Sequence, residues 1–187
     1  MAKGSRDLIL RDRLQFDLDA NGDRELVYSR VDLSDFVNIV KKEGMAIKEI
    51  RYYLRLPAAA NGVLLPTLSI DADASVKIFC TTTAYENAND VGIASPDVIN
   101  LMEMTTSVPP SGSGFAEVIN NATMFYGTPD LHPEGYNVVS DLLIGVACNN
   151  LARYATSTLE IDIMIIGEPV KLSEADMTEM LTQAQDL

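Results

Sequence analysis

The stretch Ser157-Thr158-Leu159-Glu160-Ile161-Asp162-Ile163-Met164-Ile165-Ile166-Gly167 decides the fold. Leu159, Ile161, Ile163 and Ile165 fall at every second position, with Glu160 and Asp162 between them. Successive side chains of an extended chain point to opposite faces, so this spacing predicts a strand with one face on a core and the other in water. A helix would scatter the same apolar residues around its circumference.

Outward from that strand the same period recurs. Residues 14–19 and 26–31 alternate in this way, and the Asn21-Gly22 pair between them is the strongest short signal for a hairpin, because both residues tolerate positive φ. Residues 47–56 place Ile50, Tyr52, Leu54 and Leu56 on one face, and Pro57 stops the run. Residues 63–70, 75–85, 115–126 and 137–148 supply further strands. Three helices are expected: 32–43, capped by Asp32 or Ser34; 95–104, with Ser95 as cap and Pro96 in the first turn; and 173–185, with Ser173 as cap and Glu174 and Asp176 at the positive end of its dipole. Strands and helices do not alternate, which excludes a parallel βαβ plan. The sequence therefore predicts an all-β fold of about eight antiparallel strands in two sheets, a single jelly roll with short connecting helices and a C-terminal helix. A polar arm, 1–13, leads into one domain, 14–187.

Composition narrows the chemistry. Of the 187 residues 47% are hydrophobic, and the formal charge is −13. Every Lys and Arg except Arg153 and Lys171 precedes residue 78, and none lies between 78 and 152. A surface made from that stretch repels phosphate, so weak or no direct nucleic-acid binding is expected. The two cysteines, Cys80 and Cys148, fall in apolar strand runs and read as buried free thiols. The opening residues are too polar for a signal peptide, and no apolar run is long enough for a transmembrane helix.

No catalytic constellation emerges. His132 is the only histidine and sits beside Pro133 and Gly135, which reads as a surface loop. There is no Trp to floor a sugar cleft, no nucleophile elbow and no phosphate-cradling glycine loop. The chain is expected not to be an enzyme and to need no cofactor. The one metal candidate is calcium at Asp17, Asp19, Asn21 and Asp23, whose spacing matches the front half of a calcium loop. The carboxylate required at the twelfth position is replaced by Tyr28, and a plain hairpin is the preferred reading of Asn21-Gly22.

The layout resembles the single jelly-roll capsid proteins of small icosahedral viruses, including those of archaea and bacteria. The shared features are the polar arm, the first hairpin, the short helix before the long strand with Ile50-Arg51-Tyr52-Tyr53-Leu54, the Ser/Thr/Pro/Gly loops, and the last strand feeding a terminal helix through Glu168-Pro169-Val170-Lys171-Leu172-Ser173. The resemblance implies a coat subunit, made in the host cytoplasm and found in the virion, whose partners are copies of itself and other virion proteins. Many such capsids carry a strongly basic arm. Here Lys3, Arg6, Arg11 and Arg13 are offset by Asp7 and Asp12, which suits a shell resting on a membrane or on inner proteins. Two contacts between copies are expected. One uses Met177, Met180 and Leu181 of the terminal helix, whose other reading is that it packs on its own sheet, and the other sets Lys41, Lys42 and Lys48 against the acidic later half of a neighbour. Replacing those three lysines by Glu tests the second. The alternatives are a tail or appendage adhesin with a β-sandwich fold, and a small glycan-acting sandwich enzyme.

Overall fold

The computed structural model describes residues 7–70, 72–107, 120–126 and 135–183. Nine strands, one α-helix and two single-turn 3-10 helices (Ala88–Asp90 and Ala152–Tyr154) occur among them: β1 (Leu8–Asp17), β2 (Arg24–Val31), β3 (Glu43–Arg55), β4 (Ala74–Thr81), β5 (Val98–Ser107), β6 (Asn120–Tyr126), β7 (Tyr136–Val138), β8 (Leu142–Asn149), β9 (Thr158–Lys171) and α1 (Glu174–Gln183). They form two antiparallel sheets, ordered β1-β9-β3-β7 and β2-β8-β4-β5-β6. With β6 set aside, each strand pairs with its counterpart from the other end of the chain: β1 with β9, β2 with β8, β3 with β7, β4 with β5. That is one long ribbon rolled into two layers, the jelly roll. The ninth strand, β6, widens the second sheet at its edge.

The core lies between the layers, where alternate residues of both sheets meet. Phe16, Ile50, Tyr52, Ile161, Ile163 and Ile165 come from the first sheet, and Val76, Ile78, Cys80, Met102, Ile144 and Val146 from the second. Register places Ile163 between Asp12 and Tyr52, and Ile161 between Leu14 and Leu54, so the isoleucine ladder of β9 is the spine of this core.

Several expected elements differ. Asn21-Gly22 does not close a hairpin, because β1 and β2 belong to different sheets and the turn is a corner across the sandwich. The expected helix at 32–43 is absent. Asp32 accepts a hydrogen bond from the Ser34 N–H as a cap would, but only one turn forms before Asn38 and Glu43 bridge in a tight reversal. Phe36 and Val37 pack on the core, while Ile39 and Val40, β-branched and poor helix formers, project into solvent. The expected helix at 95–104 is β5. Leu101 faces outward under a covering loop and Met102 inward to the core, so apolar residues on both faces hide the period of two. Residues 63–70 contribute only one bridge, Val63 to Arg55. The run at 137–148 divides into β7 and β8, one for each sheet. Residues 8–13, assigned to the arm, pair along β9 as the start of β1.

Both cysteines are free and buried. Burial pushes the Cys148 thiol up to about 12, and raises the Cys80 thiol and the Tyr52 phenol well above their ordinary values. In the unfolded chain a thiol ionises near pH 9 while the folded chain keeps its proton. The unfolded state then binds fewer protons, and stability falls as pH rises through the window from about 9 to about 12. Unfolding free energies from urea titrations followed by far-UV circular dichroism should be lower at pH 10.5 than at pH 8, falling above about pH 9 by up to ~1.4 kcal/mol per pH unit for each buried thiol. Cys148→Ala should flatten that slope.

Candidate interaction surfaces

The register of β1, β9 and β3 lays out the outer face of the first sheet row by row. Arg11, Met164 and Arg51 form one row, and Arg13, Asp162 and Tyr53 the next. These residues line a shallow groove of about 780 Å³. Arg13 Nε donates to Asp162 Oδ1 at 2.7 Å and lies 3.6 Å from Glu160, and Arg55 Nη1 stands 3.4 Å from Asp162 and 3.6 Å from Glu160. Arg51 is bonded to Glu49. Arg11 makes no ion pair among the described residues. Half of the Tyr53 side chain is exposed beside these arginines. The face is therefore aromatic and apolar on its floor, with a surplus of guanidinium groups around it.

The outer face of the second sheet is covered. Phe79 of β4 and Leu101 of β5 point away from the main core and form a second small cluster with Val91 of loop 82–97, edged by Leu26, Tyr28, Tyr85, Val98 and Tyr126. Tyr28 meets Phe79 edge to face, with ring centroids 5.8 Å apart. The Tyr28 hydroxyl accepts the Tyr85 N–H at 2.8 Å and donates to the Tyr85 carbonyl at 3.1 Å. Lys77 Nζ donates to the carbonyls of Val91 and Ala88 at 2.8 and 3.1 Å. The loop is thus pinned by aromatic packing and four hydrogen bonds from two side chains. Tyr28→Phe should cost about 1 kcal/mol and speed backbone hydrogen exchange selectively in 82–97, read by mass spectrometry.

Register also sorts the loops by end. Loops 32–42, 82–97 and 139–141 share one end of the sandwich with the exit of β9, and 18–23, 56–73 and 150–157 share the other. Apolar side chains stand in solvent at both. Val40 is 92% exposed in loop 32–42, Ile93 68% in loop 82–97, and Ile70 56% and Leu65 49% in loop 56–73.

The residues singled out from sequence are placed as follows. Asp19 Oδ1 accepts the N–H groups of Asn21 and Asp23, each at 2.8 Å, and these bonds, Asp23 first, lower its carboxyl below the ordinary value. Asp23 Oδ1 accepts the Asn150 N–H at 2.5 Å, and Asp17 Oδ1 accepts the Thr158 hydroxyl at 2.5 Å. The three carboxylates border one groove of about 680 Å³, but Arg24 enters it too. No group of three or more His, Cys, Asp or Glu arranged to hold a metal occurs among the described residues. Lys42 pairs with Glu174 at 3.0 Å, and Lys48 with Asp7 at 2.8 Å and Glu168 at 3.3 Å, so both answer carboxylates of their own chain; Lys41 is exposed. Ser173 caps α1 reciprocally: its hydroxyl accepts the Asp176 N–H, and the Asp176 carboxylate accepts the Ser173 N–H. Met177 is buried against its own chain and Met180 half-buried. The Leu181 side chain and His132 lie outside the described residues. No helix among the described residues is long and apolar enough to cross a membrane.

The arginine row was missed from sequence. Arg11, Arg13, Arg51 and Arg55 alternate with inward residues on their own strands, but only the pairing of both strands to β9 brings them together.

No protein family's sequence profile matches the chain, and no curated protein matches it. Among solved structures it is similar to one described as Desmodium yellow mottle tymovirus, with 10% identity over 91% of this chain and 93% of that chain and a TM-score of 0.27. It is also similar to a structure of turnip yellow mosaic virus, with 7% identity over 91% of this chain and 99% of that chain and a TM-score of 0.23. Likenesses this distant extend no function to this chain.

Proposed function

We propose that the chain is a coat subunit that assembles with copies of itself into a closed viral shell and performs no catalysis. The observation that carries this reading is a jelly roll whose loops on several sides hold apolar side chains in solvent: Val40 in 32–42, Ile93 in 82–97, and Leu65 and Ile70 in 56–73. A subunit in a shell contacts neighbours on several sides at once, and exposed apolar groups are what such contacts bury. Two free thiols held protonated in the core leave no nucleophile at the surface among the cysteines.

Purified chain, concentrated without other proteins, should form uniform closed particles by negative-stain microscopy, with a matching mass by light scattering. A monomer at every concentration and salt would sink the reading. Trimers or fibres that bind a cell surface would replace it with the appendage adhesin.

A further inference from the structure

Two surfaces of the chain carry opposite charges and exposed apolar groups, yet lie on opposite faces of the sandwich. On the outer face of the first sheet, Arg11 and Arg51 flank Met164 and Tyr53 adjoins them; Arg51 is bonded to Glu49, and Arg11 makes no ion pair among the described residues. Over the outer face of the second sheet, loop 82–97 exposes Ile93 (68%), Glu86 and Asp90. Neither acid has an ion pair among the described residues, and no Lys or Arg occurs in the sequence from 78 to 152. The loop is already pinned by Tyr28 and Lys77, so docking it costs little ordering entropy.

We infer that loop 82–97 of one copy seats on the outer face of the four-stranded sheet of a second copy, with Ile93 on the Tyr53–Met164 floor and Glu86 and Asp90 against Arg11 and Arg51. This rests on the self-assembly reading and names its surface. Because donor and acceptor surfaces differ, the contact is head-to-tail, and repetition generates rings or shells when the rotation closes. Nucleic acid is the poorer occupant. Phosphate binding needs several uncommitted cations. Of Arg11, Arg13, Arg51 and Arg55 only Arg11 has no ion pair among the described residues, whereas a single docked loop needs one free cation and one shared with Glu49.

Charge exchange tests the inference. Sedimentation velocity on the full chain compares wild type, Arg11→Glu/Arg51→Glu, Glu86→Arg/Asp90→Arg, and all four substitutions together, with circular dichroism confirming that each is folded. Each paired reversal should weaken association by about tenfold or more, and the fourfold exchange should restore it. Ile93→Asp should weaken association without any change at the arginine face. Reversals that assemble like wild type overturn this surface while leaving self-assembly intact, and so does a fourfold variant that stays monomeric. A wild-type chain that never assembles overturns both. An RNA oligonucleotide that binds the wild type, loses binding on Arg11→Glu/Arg51→Glu, and leaves association unchanged would assign the face to nucleic acid instead.

Discussion

Gly22→Ala is expected to destabilise the chain by about 3–5 kcal/mol, a large part of the stability of an ordinary domain. Gly22 has φ +82°, in the left-handed region where a Cβ is penalised by roughly 1–2 kcal/mol. A Cβ there would also lie 2.3 Å from the carbonyl carbon of Leu151 and 2.4 Å from its oxygen. Those are backbone atoms and cannot swing aside. The Leu151 N–H donates to the Gly22 carbonyl at 3.0 Å, and its side chain is fully buried. The substitution therefore pries the corner 18–23 away from loop 150–157. Gly92→Ala is the control, since nothing lies within 4 Å of the Cβ it would add, and it should change stability by less than about 0.5 kcal/mol. Urea denaturation of both variants decides the matter. Equal midpoints would show that the corner is not held as described.

Gly145→Ala is expected to cost about 2–3 kcal/mol through overpacking. Gly145 sits on β8 between Tyr28 and Phe79 of the flanking strands, and a Cβ there would lie 2.3 Å from the tip of the Phe79 ring. Phe79 is fully buried under loop 82–97, so its ring cannot swing into solvent without lifting that loop. Phe79→Leu alone opens a cavity and is destabilising in its turn. Combined, the two changes should cost less than their sum by at least ~1 kcal/mol, because the alanine fills space that the ring vacates. An additive double-mutant cycle would refute the close approach. Gly145→Ala should also weaken association, because the ring that it displaces supports the loop inferred to dock.

The terminal helix shows how local signals carry over. Ser173, Glu174 and Asp176 predict its start, and the structure supplies the reciprocal bonds between Ser173 and Asp176. The alternation of residues 158–166 and of 50–54 likewise predicts strands, and both are central to the first sheet. The buried cysteines follow from their apolar surroundings. The 32–43 segment shows the opposite. Its apolar spacing fits a helix, but after one turn on the Leu33 carbonyl the backbone of Asn38 pairs with Glu43 at the start of β3 instead of continuing the helix.

By itself the sequence determined that this chain is antiparallel and all-β, that its thiols are buried, and that its cations precede residue 78. Those properties follow from residue type and from the two-residue period, which records the faces that meet apolar surroundings. Only the tertiary structure decided which strands are neighbours. Ladder hydrogen bonds join backbone groups common to all residues, so pairing is chosen by packing between distant segments. For that reason an Asn-Gly turn became a corner between sheets, and β5, covered on both faces, resembled a helix. Four arginines on two distant strands came to share one face because β9 pairs with both.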